Sequence, residues 1–179
     1  MPQSKQEKNS VLISLVDNEA DVDFIMDNCE RIFSSKKKSL PLFQMTDFDY
    51  CRKLFKSISK GECEYPYFLC KFTDSKTKEI VGCVLFSIGS PWYAPKLNAI
   101  SEELTVSFKK GYGIARSVAA YMSYFIKEGK ADIATGASAQ ESCAAEVANS
   151  YAKVGYKQYP TYYMLSDKIN NYNKQNNNE

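Results

Sequence analysis

The sequence predicts an α/β (α+β) fold: a mixed, mostly antiparallel central sheet with helices on both faces and one parallel β-α-β crossover. Short apolar runs typical of strands alternate with longer stretches that have the spacing of amphipathic helices. A strand, a glycine-containing loop, a helix and another strand follow one another over residues 99–138, as in a parallel crossover. The 179 residues are 44% hydrophobic and 25% charged, which is typical of one globular domain.

An apolar strand and a helix are predicted first. VLISLVD (11–17) has the composition of a short buried strand. Asp17 or Asn18 is suited to cap the helix ADVDFIMDNCERIFS (20–34), because a side-chain oxygen there accepts a backbone N–H of the first turn. Apolar residues at helical spacing form the core-facing side of this helix. They are Val22, Ile25, Met26, Cys29, Ile32 and Phe33.

A lysine-rich break separates this helix from a second one. SSKKKSLP (34–41) predicts a solvated surface loop, with a patch for an acidic partner as the alternative. The second helix is predicted to begin at Thr46 or Asp47 and to end at the Lys-Gly pair 60–61. Its apolar side consists of Tyr50, Leu54, Phe55 and Ile58.

Three strands are predicted next. YPYFLCKFTDSKTKEIVGCVLFSIG (65–89) contains two apolar strands joined by the polar turn DSKTKE (74–79), which indicates an antiparallel hairpin. SPWYAPKLN (90–98) is a loop rich in proline and aromatic residues. AISEELTVSF (99–108) is the third strand of this group.

The rest of the domain is predicted as helix, strand, helix and strand. These are GIARSVAAYMSYFIKEG (113–129), ADIATGAS (131–138), SCAAEVANSYAKVG (142–155) and YKQYPTYYMLS (156–166). The core-facing side of the first of these helices is Ile114, Val118, Tyr121, Met122, Phe125 and Ile126. One domain therefore spans residues 11–166, between a flexible polar segment (1–10) and a polar, Asn-rich tail (167–179).

Composition excludes several classes of protein. A net charge of +2 and a pI near 8.1 do not favour nucleic-acid binding. The first residues, MPQSKQEKNS, do not resemble a signal peptide, and no apolar run approaches the ~20 residues of a membrane span. The six cysteines form no Cys-x-x-Cys pair and are expected as free thiols. We therefore expect a cytoplasmic protein without a membrane partner.

The sequence contains no histidine. This excludes histidine-bound metals, nucleophiles paired with histidine and histidine general bases. Chemistry in this chain must use carboxylates, tyrosines, thiols, backbone amides or water, and we expect no metal.

Two glycines in EELTVSFKKGYGIARS (102–117) precede a predicted helix, and three interpretations of them are open. They form a degenerate dinucleotide fingerprint, with Arg116 where the third glycine is expected. They allow a tight strand-to-helix turn without a ligand. They open an anion-binding cradle at the helix N-terminus, assisted by Lys109, Lys110 and Arg116.

The segment EELTVSFKKGYGIARSVAAYM resembles the acetyl-coenzyme A-binding segment of the GNAT superfamily of N-acetyltransferases. Lys110-Gly-Tyr-Gly113-Ile-Ala115 matches the family's Arg/Gln-x-x-Gly-x-Gly/Ala pattern, with lysine in the first position. NSYAKVGY (149–156) resembles the Tyr-x-Lys-x-Gly-Phe/Tyr signature that follows the next strand in that family. The element order also matches over about residues 11–166.

The resemblance implies acetyl-coenzyme A (acetyl-CoA) as co-substrate. The strand edge would pair with its pantetheine arm, and backbone amides of the loop and helix would hold its pyrophosphate. The implied cofactor-binding residues are Leu104, Thr105, Val106, Lys110, Gly111, Tyr112, Gly113, Ile114 and Ala115.

The resemblance also implies direct transfer of the acetyl group to the amine of a small molecule or protein. Glu102 or Glu103 would remove the amine's proton, and strand alternation puts them on opposite faces, Glu102 with Leu104 and Val106 and Glu103 with Thr105. Tyr151 would protonate the departing thiolate. Ordinary strand carboxylates and a packed tyrosine ring are the alternatives.

Aromatic residues are candidates for the acceptor pocket, namely Trp92, Tyr93, Tyr162 and Tyr163. Cys143 is an unfavourable acyl-carrying nucleophile, because no base is paired with it. Two departures from the family, Lys110 and the Ala144 that replaces a frequent asparagine, raise an alternative function. In that alternative the chain is a degenerate GNAT-fold binding or assembly protein, with a homo-oligomer or another protein as its partner.

Overall fold

The computed structural model describes residues 10–35, 46–91, 94–136 and 144–157. Strands and helices follow one another there in the order that the sequence predicts. In chain order they are β1 (Val11–Leu15), α1 (Glu19–Ser35), α2 (Phe48–Ser59), β2 (Tyr67–Asp74), β3 (Ile80–Gly89), β4 (Ala99–Ser107), α3 (Ile114–Lys127), β5 (Ile133–Thr135) and α4 (Ala144–Ala152).

The five strands form one sheet in the order β1-β2-β3-β4-β5. The first three pairings are antiparallel, and β4 with β5 is parallel. A parallel pair needs a crossover, which α3 supplies between β4 and β5. The predicted mixed sheet and its crossover are therefore confirmed.

Helices cover both faces of the sheet, as predicted. One face packs against α1 and α2, and we call it the α1/α2 face. The other packs against α3 and α4, and we call it the α3/α4 face. The α1/α2 core includes Val22, Ile25, Met26, Cys29, Phe55, Ile58, Leu69, Cys83, Leu85 and Val106. The α3/α4 core includes Cys70, Phe72, Val84, Phe86, Ile100, Ile114, Val118, Ala119, Met122 and Tyr151.

Side-chain caps set where the first two helices begin. Asn18 Oδ1 accepts a hydrogen bond from the Asp21 N–H at 2.9 Å, and Asp47 Oδ1 accepts from the Tyr50 N–H at 2.9 Å. Each cap satisfies a first-turn donor that has no partner inside its helix. Of the predicted alternatives, Asn18 and Asp47 are therefore the caps.

Three expectations about burial are wrong. β1 is half-exposed rather than buried, because it is an edge strand; Leu12 and Leu15 are 54% and 57% exposed. Tyr50 and Ile126 lie in the terminal turns of α2 and α3 and are exposed as well. Helical spacing marks one side of a helix but not how far the neighbouring core extends along it.

Several predicted features lie outside the described residues. They are most of the N-terminal segment, the lysine-rich loop, Trp92, Tyr93, Cys143, the last strand from residue 158 onward with Tyr162 and Tyr163, and the tail. None of the helices in the described ranges is both long and apolar enough to cross a bilayer.

Candidate active site

Strands β4 and β5 separate soon after they meet. β5 pairs with β4 only from Ala99 to Ser101, whereas β4 continues to Ser107 with β3 as its partner. Within the described residues, the β5-side edge of β4 is therefore open beyond Ser101. A strand edge presents unpaired N–H and C=O groups that an extended ligand can bind. The predicted cofactor-binding residues 104–106 lie on this edge.

A β-bulge lies where the two strands separate. Leu104 is opposite Leu85 and Glu102 is opposite Phe86, so Glu103 is an extra residue without a partner on β3. A bulge of this kind interrupts the alternation of side chains between the two faces.

The bulge reverses the predicted placement of the two glutamates. Glu102 lies on the α3/α4 face, where it meets Tyr151 of α4. Thr105 is opposite Val84 of the α3/α4 core and shares that face. Leu104 and Val106 belong to the α1/α2 side, where Glu103 contacts Ser87. The expected grouping of Glu102 with Leu104 and Val106 is therefore wrong.

Tyr151 and Glu102 form a close pair. The Tyr151 hydroxyl donates a hydrogen bond to Glu102 Oε2, and Tyr151 is only 8% exposed. Burial, and then the charge of Glu102, raise the pKa of Tyr151 well above its usual range. This hydroxyl therefore keeps its proton at neutral pH and is a hydrogen-bond donor.

The motif NSYAKVGY (149–156) positions this tyrosine. Gly155, with a φ of 103°, ends the turn after α4 and returns the chain toward Tyr151. The Tyr156 N–H donates to the Tyr151 carbonyl at 3.2 Å, and the two rings pack edge-to-face with centroids 5.0 Å apart. The Tyr156 hydroxyl donates to the Ala119 carbonyl of α3 at 3.2 Å. The motif thus anchors the Tyr151 ring against α3.

Gly136 is a site residue that the sequence interpretation missed. It directly follows β5, and a Cβ on it would lie 2.5 Å from Tyr151 Cε1, 2.6 Å from the Tyr151 hydroxyl and 2.7 Å from Glu102 Oε2. Only glycine leaves room for this pair. The sequence feature that could have identified Gly136 is its position as a glycine inside the predicted strand ADIATGAS (131–138).

The loop between β4 and α3 has open backbone donors. Gly111 and Gly113 have φ values of 87° and 63°, in the left-handed region that favours glycine. Gly113 is the N-cap of α3 and supplies no side-chain hydrogen bond. In the described part of the chain, no protein acceptor takes the N–H groups of residues 109–116. These donors and the positive end of the α3 dipole have the arrangement that binds anions at helix N-termini in other proteins, and we call this loop and the first turn of α3 the cradle.

The basic residues of the cradle differ in their surroundings. Lys109 Nζ lies 2.6 Å from Glu79 Oε2, so its charge is largely compensated. Lys110 and Arg116 are exposed and form no ion pair with a described residue. They are the side chains available to a bound anion. The predicted cradle residues 110–115 therefore lie together, beside the open edge of β4.

A buried carboxylate holds the loop in place, and sequence reasoning missed it. Asp74, at the end of β2, is 6% exposed and accepts hydrogen bonds from the Tyr112 hydroxyl at 2.6 Å and from the Lys76 and Thr77 N–H groups at 2.7 and 3.0 Å. These bonds, that of Tyr112 above all, lower the pKa of Asp74. Tyr112 therefore fixes the loop to the sheet through Asp74.

Asp74→Asn is expected to lower stability in a pH-dependent way. A carboxyl whose folded-state pKa is lowered contributes stability above its unfolded pKa of about 3.9, and this contribution is lost as pH falls through the folded value. The difference in urea midpoint between wild type and variant should stay constant above about pH 5 and shrink below about pH 4. Urea titrations from pH 7 to pH 2 measure it, with exposed Glu30→Gln as control. A difference that persists at the lowest pH would contradict this role.

A buried hydroxyl without a hydrogen-bond partner among the described residues bears on whether acetyl-CoA fits this site. Thr105 Oγ1 is buried and has no hydrogen-bond partner within the described residues. It lies on the α3/α4 face of the open strand, on the same side as Tyr151. Buried hydroxyls rarely lack a partner, so a polar ligand group beside β4 would satisfy it. The open edge, this hydroxyl and the amide cradle fit the amide-containing arm and the pyrophosphate of acetyl-CoA.

No protein-family model matches the sequence, and no curated protein is significantly similar to it. Solved structures do match. A protein described as a transcriptional regulator from Bacillus halodurans C-125 is 16% identical, with a TM-score of 0.63 over 87% of this chain and 99% of its own. A ribosomal-protein-alanine N-acetyltransferase from Brucella melitensis is 12% identical, with a TM-score of 0.60 over 87% and 99%.

An aminoglycoside acetyltransferase from an uncultured soil metagenomic sample is also 12% identical, with a TM-score of 0.56 over 87% of this chain and 95% of its own. Most of the similar structures are acetyltransferases, and at these identities the likeness concerns the fold. The chain has the fold of the GNAT acetyltransferases.

Proposed function

We propose that this chain, which has the GNAT fold, is an acetyl-CoA-dependent N-acetyltransferase acting on the primary amine of a small molecule or protein. One observation carries the proposal. Within the described residues, the open edge of β4 leads from the amide cradle at Gly111–Gly113 to the pair of Tyr151 and Glu102. The strand between them carries Thr105, whose buried hydroxyl has no hydrogen-bond partner among those residues.

The chain's own residues bind and orient the co-substrate. Amides of the cradle and Lys110 hold the negative pyrophosphate, and the free backbone groups at 104–106 align the extended arm. The thioester then lies between β4 and β5, where the strands part next to Ser101. Binding in this gap brings the acetyl group to the boundary between the two faces of the sheet.

The two glutamates have different roles in this proposal. Glu102 accepts the hydrogen bond of Tyr151 and so orients the tyrosine. Glu103 lies on the opposite face, is exposed and accepts a hydrogen bond of 2.5 Å from the Ser87 hydroxyl. We therefore assign Glu103 as the base that takes the proton from the acceptor ammonium, directly or through water.

Transfer then requires one bond to form and one to break. The amine nitrogen bonds to the acetyl carbon while the carbon–sulfur bond breaks, and the leaving thiolate takes the Tyr151 proton. Because its pKa is raised, the Tyr151 hydroxyl is protonated at neutral pH and is available as a donor when the thiolate forms. The acid and the base thus act from opposite faces of the sheet.

Tyr151→Phe tests the proposal. General-acid catalysis typically contributes 10²–10⁴-fold, so we expect about a 100-fold lower kcat with an unchanged Kd for acetyl-CoA. Release of free thiol with a panel of primary amines measures turnover, and calorimetry measures the Kd. The control is Tyr124→Phe, since Tyr124 is an exposed tyrosine of α3.

The outcomes separate the proposal from its alternative. Full activity in Tyr151→Phe would remove the acid role. Binding of acetyl-CoA without turnover of any amine would favour a GNAT-fold binding or assembly protein. One of the similar structures is described as a transcriptional regulator, so proteins of this fold are not all described as acetyltransferases.

A further inference from the structure

A row of hydroxyl groups crosses four strands of the sheet. Tyr67 is opposite Ser87, Ser87 is opposite Ser101, and Ser101 is opposite Thr135. The Thr135 hydroxyl donates a hydrogen bond to Ser101 Oγ at 2.8 Å. Ser87 Oγ donates to Glu103 Oε1 at 2.5 Å. We call Tyr67, Ser87, Ser101 and Thr135 the hydroxyl row.

The hydroxyl row lies on the α1/α2 face, where Tyr67 packs against the core. Further along the strands the same face carries buried apolar residues, including Leu69, Leu85 and Val106. The hydroxyls of Ser87, Ser101 and Thr135 already hydrogen-bond to Glu103 or to each other, and they are half-buried or exposed. Each hydroxyl can form a further hydrogen bond, so the row can bind a polar ligand.

A cavity of about 330 Å³ lies over the part of this row that β3, β4 and β5 contribute. Ser87, Ser101 and Thr135 line it, and the apolar residues Pro66, Pro91 and Ile133 complete much of its wall. Small-ligand sites commonly combine apolar walls with a few placed polar groups. The cavity touches β4 at Ser101, where β5 parts from it, so it opens beside the proposed site of transfer.

Glu103 gives this region a negative charge. It is exposed, and no lysine or arginine of the described residues forms an ion pair with it. Tyr65, 61% exposed, packs on Tyr67 with ring centroids 5.7 Å apart. Burial, and then the charge of Glu103, raise the pKa of Tyr67, so this hydroxyl remains a donor. A carboxylate beside an aromatic pair attracts a cation.

We infer that the acceptor is a small amine that itself carries hydroxyl groups, of the amino-sugar or amino-alcohol class. Its ammonium group pairs with Glu103, its hydroxyls bind the hydroxyl row, and its carbon skeleton packs on Pro66 and Ile133. The carbon chains of alkyl amines, lysine side chains included, would form no hydrogen bond to the hydroxyl row. The carboxylate of an acidic amine would be repelled by the carboxylate of Glu103. This inference rests on the proposed function, which supplies the acetyl group.

Direct binding to the full chain without acetyl-CoA tests the inference. The probes are glucosamine, glucose, which lacks the amine, and cyclohexylamine, which lacks the hydroxyls. We expect glucosamine to bind at least about 10-fold more tightly than either, because both the ion pair and the hydroxyl contacts contribute. Calorimetry measures the three dissociation constants. Equal or tighter binding of cyclohexylamine, or no binding of glucosamine, would overturn the inference.

Substitutions in the hydroxyl row complete the test. Ser101→Ala and Thr135→Val should each weaken glucosamine binding about 5-fold, as expected for one lost hydrogen bond, and leave cyclohexylamine unaffected. Ser14→Ala, on exposed β1, is the control. Unchanged glucosamine affinity in both row variants would overturn the assignment.

Acetyl-CoA binding, measured separately, distinguishes the two proposals. Glucosamine binding without acetyl-CoA binding would refute the transferase and retain the amino-sugar site. Acetyl-CoA-dependent acetylation of amines without hydroxyl groups, in preference to glucosamine, would retain the transferase and refute this acceptor class.

Discussion

Gly136→Ala is expected to lower kcat about 100-fold while the protein stays folded. The added methyl group would lie within 2.7 Å of both Tyr151 and Glu102, so their hydrogen-bonded arrangement must open. The contacted atoms are side-chain atoms, so the fold itself gives way little. Overpacking of this kind typically costs about 1–3 kcal/mol of stability. In the proposed mechanism Tyr151 is the general acid, and loss of its position accounts for the expected fall in kcat.

Gly61→Ala is the control for a loss of stability away from the site. Gly61 follows α2, has a φ of 71° and has no atom within 4 Å of an added Cβ. A left-handed alanine there should cost about 1 kcal/mol without changing kcat. Thiol-release kinetics and thermal unfolding of both variants separate the two effects. Equal kcat values in Gly136→Ala and wild type would show that Tyr151 and Glu102 do not act as a unit.

Gly113→Asp is expected to weaken acetyl-CoA binding about 100-fold. The new carboxylate would lie at the N-terminus of α3, among the open amides that hold the pyrophosphate in the proposal. Repulsion between the two anions, and competition of the carboxylate for the same N–H groups, both oppose binding. Calorimetric titration of acetyl-CoA, with desulfo-coenzyme A as a second ligand, measures the change.

Gly113→Asn is the matched variant. Asparagine has nearly the shape of aspartate and tolerates the left-handed backbone equally, but it is uncharged. Nothing lies within 4 Å of the Cβ position, so both side chains fit. The Asn variant should bind acetyl-CoA several-fold more tightly than the Asp variant. Equal affinity in wild type, Asn and Asp forms would mean that the glycines only turn the chain.

Apolar periodicity predicted the fold well. The spacing of apolar residues in α1 and α3, the polar turn between β2 and β3, and the caps Asn18 and Asp47 are local features. Each depends on neighbours within a few residues, so each can be inferred without knowing the tertiary arrangement. The glycines at 111 and 113 belong to the same category, because their backbone conformation follows from the turn they form.

Side-chain direction at the bulge could not be predicted. Strict alternation placed Glu102 with Leu104, but the extra residue at Glu103 changed which glutamate faces α4. A bulge arises from how β3 and β4 align over their whole length, and no residue near Glu103 specifies it alone.

The order of elements, the amphipathic faces of the helices, the glycine turn before α3 and the absence of histidine chemistry all follow from the amino-acid sequence alone. Which side chains meet depends on the tertiary structure. It brings Gly136 of the β5 end against Tyr151 and Glu102, Asp74 against Tyr112, and Ser87 against Glu103. These contacts join residues that are distant in sequence, and packing between strands and helices sets them. Local propensity carries no information about such distances, which is why the fold could be predicted and much of the site could not.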